Sequence, residues 1–130
     1  MATTQQILIK QGVSHTEIVT VQVLTNNALP FNSSTNPYIP LDFTGYSALL
    51  QVRKDYDAPT PVINLTNLNS GISFASGGKL TINVSASVSN TVVFAGAKWE
   101  GLYDLTLTNG STVLNPITGN FVIQRNIARA

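Results

Sequence analysis

Residues 46–53 alternate strictly. Tyr46, Ala48, Leu50 and Val52 fall on one side, and Ser47, Leu49, Gln51 and Arg53 fall on the other. Successive side chains of a strand point to opposite faces, so a period of two describes a half-buried β-strand rather than an amphipathic helix. Asp42, Thr44 and Gly45, all turn formers, lead into it. Leu49 is the one apolar residue on the outward side, from which partial covering of that side is expected as well.

The same signal recurs along the chain. Residues 6–10 (QILIK) form a short apolar run closed by Gly12, and residues 17–24 place Val19, Val21 and Val23 opposite Ile18, Thr20 and Gln22. Such a density of β-branched residues favours strands. Residues 62–66 turn Ile63 and Leu65 inward, residues 72–74 continue after a turn, and residues 79–85 set Leu80, Ile82 and Val84 against Thr81 and Asn83. Residues 102–108 set Tyr103, Leu105 and Leu107 against Asp104, Thr106 and Thr108, and residues 112–114 and 121–125 complete the series. Turn chemistry separates these runs at residues 55–61 and 67–71, at Ser76-Gly77-Gly78 and at residues 95–101. Asn109-Gly110 is the strongest hairpin signal, and Asn115-Pro116 is expected to break the strand that follows it. Residues 85–93 have room for one helical turn, capped by Ser85, Ser87 or Ser89.

About eight short strands with turns between them predict an all-β, antiparallel β-sandwich of immunoglobulin-like type, with 7–9 strands. At 130 residues the chain reads as one domain, 1–130, with residues 1–12 as an N-terminal arm or first strand. Folding at this size buries roughly two-thirds of the unfolded surface, so the absence of cysteine leaves the core to stand unaided. Gly101-Leu102-Tyr103, opening a late strand, has the pattern of a tyrosine corner, in which the phenol bonds backbone between the sheets; an ordinary core aromatic fits Tyr103 equally well. Trp99 is assigned to the core at a sheet end, with an interface hot spot as the alternative.

The pattern stops over residues 25–40 (TNNALPFNSSTNPYIP), with three prolines and a cluster of Asn and Ser. Structureless connections this long are uncommon in compact domains. Leu29, Phe31, Tyr38 and Ile39 are too apolar for a solvated linker, so the segment is expected to be an ordered loop that touches its own domain or a neighbour. These four residues, together with Ile7, Ile9, Val122 and Ile127 of the two chain ends, are the interface candidates. Open sandwich edges pair with strands of other chains, and residues 5–10 and 120–130 are the ends placed to do so.

Charged residues make up 10% of the chain against about 25% in ordinary soluble domains. Asn, Ser and Thr fill the gap, which suits a surface that meets other proteins. The net charge is +1, and the seven basic residues form no run, which argues against nucleic-acid binding. No apolar stretch approaches the ~20 residues of a membrane span, and residues 1–12 lack the basic-then-apolar order of a secretion signal.

The residues that carry chemistry do not converge. His15, the single histidine, follows Ser14 without the strained elbow of a nucleophile and reads as a solvated turn residue. Asp55-Tyr56-Asp57 lacks the further ligands of a calcium loop. The six acids, Glu17, Asp42, Asp55, Asp57, Glu100 and Asp104, show no spacing that singles out a catalytic pair. Gly77-Gly78 is too short to cradle phosphate. No catalytic residue, metal site or cofactor is expected, and the chain does not read as an enzyme.

Three segments together resemble a known family. LDFTGYSALLQVRKDYDAPTPVINLT (41–66), ISFASGGKLTINVSASVSNTVV (72–93) and GLYDLTLTNGSTVLNPITGNFVIQRNIAR (101–129) are similar to small immunoglobulin-like proteins encoded among the tail and fibre genes of tailed bacteriophages, and to the N-terminal domain of upper baseplate proteins. The shared features are an Asp-x-Thr-Gly-Tyr lead-in to a strand ending in Arg, a glycine reversal before the middle strand, and a closing Tyr-Asp-Leu strand with its hairpin. The resemblance implies structural roles for Asp42, Gly45, Tyr46, Arg53, Tyr103, Asp104 and Gly119 and carries no active site; Gly101 is assigned a structural role with the Tyr103 corner pattern. Residues 25–40 are longer than the connection the family leads one to expect.

That resemblance implies a virion component, assembled in the bacterial host cytoplasm, that works as an adaptor joining tail or baseplate to receptor-binding fibres. Its expected partners are other phage structural proteins and its own copies, as a ring or trimer. A capsid decoration protein bound to the major capsid protein is the alternative. A carbohydrate- or receptor-binding module, using Trp99, Tyr38, Tyr56 and Phe31 as a stacking platform, is a third reading.

Overall fold

The computed structural model describes residues 3–26 and 28–125. Among them are eleven strands: β1 (Thr3–Thr4), β2 (Ile7–Lys10), β3 (His15–Thr20), β4 (Gln22–Leu24), β5 (Tyr38–Pro40), β6 (Ser47–Arg53), β7 (Ile63–Thr66), β8 (Ile72–Ala75), β9 (Lys79–Val84), β10 (Lys98–Asn109) and β11 (Thr112–Gln124). A single helical turn, α1 (Ala86–Asn90), lies between β9 and β10. One sheet runs β11-β10-β6-β7, with β1 and β2 both lying along the outer side of β11; a second runs β3-β9-β8, and β4 and β5 form a two-stranded sheet of their own. The first run pairs with the last strand in parallel, Ile7 beside Phe121 and Ile9 beside Ile123, while every other ladder is antiparallel. This is the strand arrangement of an immunoglobulin-like β-sandwich.

The alternation predicted from sequence decides which side chains fill the space between the sheets. Ala48, Leu50 and Val52 of β6, Leu80, Ile82 and Val84 of β9, and Leu105 and Leu107 of β10 are buried in one continuous core with Ile7, Ile9, Ile117, Phe121 and Ile123. Burying each such side chain is worth about 1.5–3 kcal/mol against leaving it in water. Leu49 is 37% exposed and Gln51 and Arg53 on the same side are half-buried, so the outer face of β6 is partly covered, as expected. α1 forms where the serines suggested: Ser85 is the N-cap and accepts from Val88 N–H at 3.2 Å. Ser89, fully buried, accepts from Gly12 N–H at 2.8 Å and so ties the β2–β3 turn to the helix.

Other expectations are corrected. Strands number eleven among the described residues, not 7–9, because short ladders form at β1 and between β4 and β5. Residues 98–101 do not turn but begin β10, so Tyr103 lies inside that strand rather than at its start. The turn residues of the last hairpin are Gly110 and Ser111, with Asn109 still paired to Thr112. Gly110 has φ +58° and Ser111 does not share a positive φ, the pattern of a turn with glycine at its first central position.

Pro116 also fails to break its strand. The register slips between Leu105 and Leu107, where Asn115 and Pro116 oppose Thr106 alone. A β-bulge of this kind leaves a residue out of the ladder, so the missing N–H of proline costs no ladder bond. The Asn115 amide, its nitrogen turned toward the bulge, donates to the Leu105 and Ile117 carbonyls at 3.0 and 3.2 Å.

Candidate interaction surface

The segment over residues 25–40 is the tip and one arm of a hairpin. At Val21 the chain changes partners: its N–H donates to Gly78 (2.7 Å) and its carbonyl accepts from Leu41 (2.9 Å). The run over residues 17–24 therefore divides into β3, on the second sheet, and β4, which pairs with β5 (Val23 beside Ile39, Leu24 beside Tyr38).

Asn36 organises the tip. It is 2% exposed, and its Nδ2 donates to the carbonyls of Asn26 (2.9 Å), Leu29 (3.1 Å) and Pro30 (3.0 Å). Its Oδ1 accepts from Asn26 N–H at 2.7 Å, and its backbone exchanges two bonds with Asn32. Asn32 in turn accepts from Ser34 and Thr35 N–H through Oδ1. One amide thus satisfies backbone groups that a β-ladder would otherwise pair, and it does so without an apolar core of its own. The apolar side chains are released outward: Leu29, Phe31, Tyr38 and Ile39 are all exposed, and the Phe31 and Tyr38 rings stack with centroids 5.1 Å apart. The hairpin thus carries a stacked, exposed aromatic pair, while Ile39, next to Tyr38 along β5, points to the opposite face. Asn36 was not singled out from sequence; the only signal was its place in an Asn-rich stretch that also holds Asn26 and Asn32.

The chain ends behave differently from expectation. Residues 5–10 and 120–125 pair with each other, and Ile7, Ile9 and Val122 are buried. Their side chains belong to this domain and are not offered to a neighbour; Ile127 lies outside the described residues. Inward-facing strand residues at a chain end look the same in sequence whether the partner strand is internal or foreign.

Arg53 donates to the Ala58 carbonyl (2.7 Å) and to Gln51 (3.1 Å), holding the turn after β6. Tyr46 is half-buried against the core, its N–H bonded to Phe43 at 2.9 Å. Gly101 seats the Trp99 ring, where a side chain would run into the indole and the Arg53 carbonyl. Trp99 is 8% exposed, with the Lys54 ammonium 5.4 Å from its ring centre, so the four-ring sugar platform does not assemble. Tyr56 stands alone on the turn after β6. Tyr103 is a buried core aromatic whose hydroxyl bonds the Gln5 carbonyl of the N-terminal run, not the corner between the sheets.

The titratable groups are dispersed. His15 is not in a turn: it opens β3, and its Nε2 lies 3.0 Å from Glu17 Oε1. Burial, then the nearby Glu17 and Asp104 carboxylates, push the Tyr103 phenol up to about 12. Asp42 accepts from Thr44 N–H (3.0 Å) and Thr44 Oγ1–H (2.7 Å), which holds its carboxyl below the usual range. A hollow of about 520 Å³ is floored by the stacked Phe43 and Phe74 rings, and Asp42 is its single titratable side chain. Among the described residues no group of three His, Cys, Asp or Glu side chains is placed to hold a metal, and no helix is long and apolar enough to cross a membrane. No family model matches the sequence, and a search of curated proteins finds no match to it.

Proposed function

We propose that this protein is a virion structural component of a tailed bacteriophage, an adaptor that links tail or baseplate to receptor-binding fibres. The observation that carries the proposal is the hairpin tip. Asn36 bonds its backbone together, and it displays Leu29, Phe31, Tyr38 and Ile39 to solvent instead of burying them. A stacked aromatic pair left exposed on an ordered tip suits contact with a partner. The family resemblance supplies the setting, and the low charge of the chain suits a surface covered on assembly.

The test is to label this chain in assembled particles of the phage that encodes it and image them by electron microscopy. Label at the tail tip or fibre junction is expected. Label distributed over the head would replace the adaptor reading with capsid decoration, and particles without label would overturn both.

A further inference from the structure

The hollow floored by Phe43 and Phe74 opens at the foot of β5, between residues 40–44 and the turn that follows β8. Its volume, about 520 Å³, lies in the range of small-ligand sites. The two rings stack with centroids 4.6 Å apart and planes 9° from parallel, which covers one face of each. Phe43 is buried, so the aromatic surface left to a ligand is that of half-buried Phe74.

One charge stands at the rim of this hollow. Both bonds that Thr44 gives Asp42 fall on Oδ1, which leaves Oδ2 without a partner among the described residues. The same bonds favour the charged form of the carboxyl and keep it ionised at neutral pH. Among the described residues no lysine, arginine or histidine lines the hollow. Lys79 pairs with Ala75 nearby, but its neighbour Leu80 is buried, so the Lys79 side chain points to the outer face of the sheet. The hollow beside Arg53 differs: it holds Asp55 and Asp104 but brings its own cation.

An aromatic ring and a carboxylate without a cation, set on one cavity, are complementary to positive charge on an apolar stem. The ring quadrupole attracts the cation, the carboxylate pairs with it, and the apolar floor covers its carbon atoms. We propose that this hollow is a binding site for an organic cation, an alkylammonium or guanidinium group, seated over Phe74 and paired with Asp42. A free small amine and a lysine or arginine side chain of another protein carry the same chemistry. The site is separate from the apolar display of the hairpin tip, so it neither needs the virion reading nor falls with it.

Titrating the full chain with n-butylammonium and n-butylguanidinium chloride, read by amide chemical shifts, tests the proposal. Saturable shifts centred on residues 42–44 and 74–77 are expected, with a roughly millimolar dissociation constant because Asp42 is open to solvent. n-Butanol keeps the carbon chain without the charge and is expected to bind about tenfold more weakly. Asp42→Asn retains an oxygen for the Thr44 bonds but removes the charge, so it weakens butylammonium binding by a similar factor, whereas Asp57→Asn, in the turn after β6, leaves it unchanged. Phe74→Leu keeps an apolar floor without a ring face and also weakens it. Capped peptides holding one lysine or arginine distinguish the source: tighter binding than the free amine assigns the hollow to a protein side chain, weaker binding to a small amine. Absence of saturable shifts at the hollow, butanol binding as tightly as butylammonium, or an Asp42→Asn protein that binds undiminished would overturn the proposal. The butanol comparison needs no variant and so holds whatever the substitutions do to the fold.

Discussion

The Tyr103 hydroxyl donates a 2.6 Å hydrogen bond to the carbonyl of Gln5, a residue 98 positions earlier. Tyr103 lies opposite Gly119 in the β10–β11 ladder, and the Gln5 backbone crosses directly over Gly119. One point in the fold therefore ties together the N-terminal run, the penultimate strand and the last strand. It closes the sandwich along the side where the parallel pairing occurs.

Tyr103→Phe keeps the buried ring, which meets Phe121 edge-on at 6.1 Å, and leaves the Gln5 carbonyl without this donor. A loss of about 1–2 kcal/mol in urea unfolding is expected, with faster amide exchange over residues 5–10. The pH dependence follows from the raised phenol. The unfolded chain loses this proton near 10.0, while the folded protein keeps it until about 12. The contribution is complete below pH 10 and is lost as pH rises from 10 toward 12, with a slope of at most about 1.4 kcal/mol per pH unit. Tyr103→Phe lacks that part of the decline, so titrating both proteins by unfolding isolates it.

Gly119 has φ +154°, and a Cβ there would run into the Gln5 carbonyl. Gly119→Ala is expected to cost about 2–3 kcal/mol, since relief requires lifting the N-terminal run off β11. A lowered denaturation midpoint together with lost protection at Gln5 and Gln11 is the outcome to look for. Unchanged stability would mean the crossing is looser than its geometry indicates.

Asn36→Ala removes three donated bonds and one accepted bond at the hairpin tip. Asn36→Asp keeps the acceptor but turns a carboxylate toward three carbonyls, so it is expected to be the more disruptive change. In both variants exchange at Asn26 and Asn32 accelerates while the amides of β6 and β10 keep their protection. The sandwich core does not include the tip, so the change is local.

Leu50→Ala and Leu49→Ala are neighbours in sequence on opposite faces of β6. Leu50 is fully buried, and its truncation is expected to cost about 2–5 kcal/mol. Leu49 is 37% exposed on the other face, and its truncation is expected to cost clearly less, about 1 kcal/mol or below. Equal losses would indicate that the outer face of the sheet is covered as fully as the inner one.

Much of the sandwich was legible because its signal is local. Leu80, Ile82 and Val84 alternate whatever the chain around them does, and Ser85 caps a turn through a bond three residues long. Pro116 and the start of β10 were misread because a bulge and a long ladder depend on the opposing strand. The exposed residues of the tip were legible as apolar residues in a polar stretch, but the amide that holds them out was not. Asn36, Asn26 and Asn32 carry the same side chain, and only the folded tip buries one of them.

The alternating residues by themselves determined that this chain makes β-strands and which side chains those strands bury, since the direction of a side chain along a strand is set by the backbone alone. Tertiary structure decided that the two chain ends pair with each other, that Ile7, Ile9 and Val122 serve this domain's own core, and that Tyr103 reaches Gln5. Those contacts join residues about a hundred positions apart, and no local pattern records which distant strand will supply the missing hydrogen-bond partner.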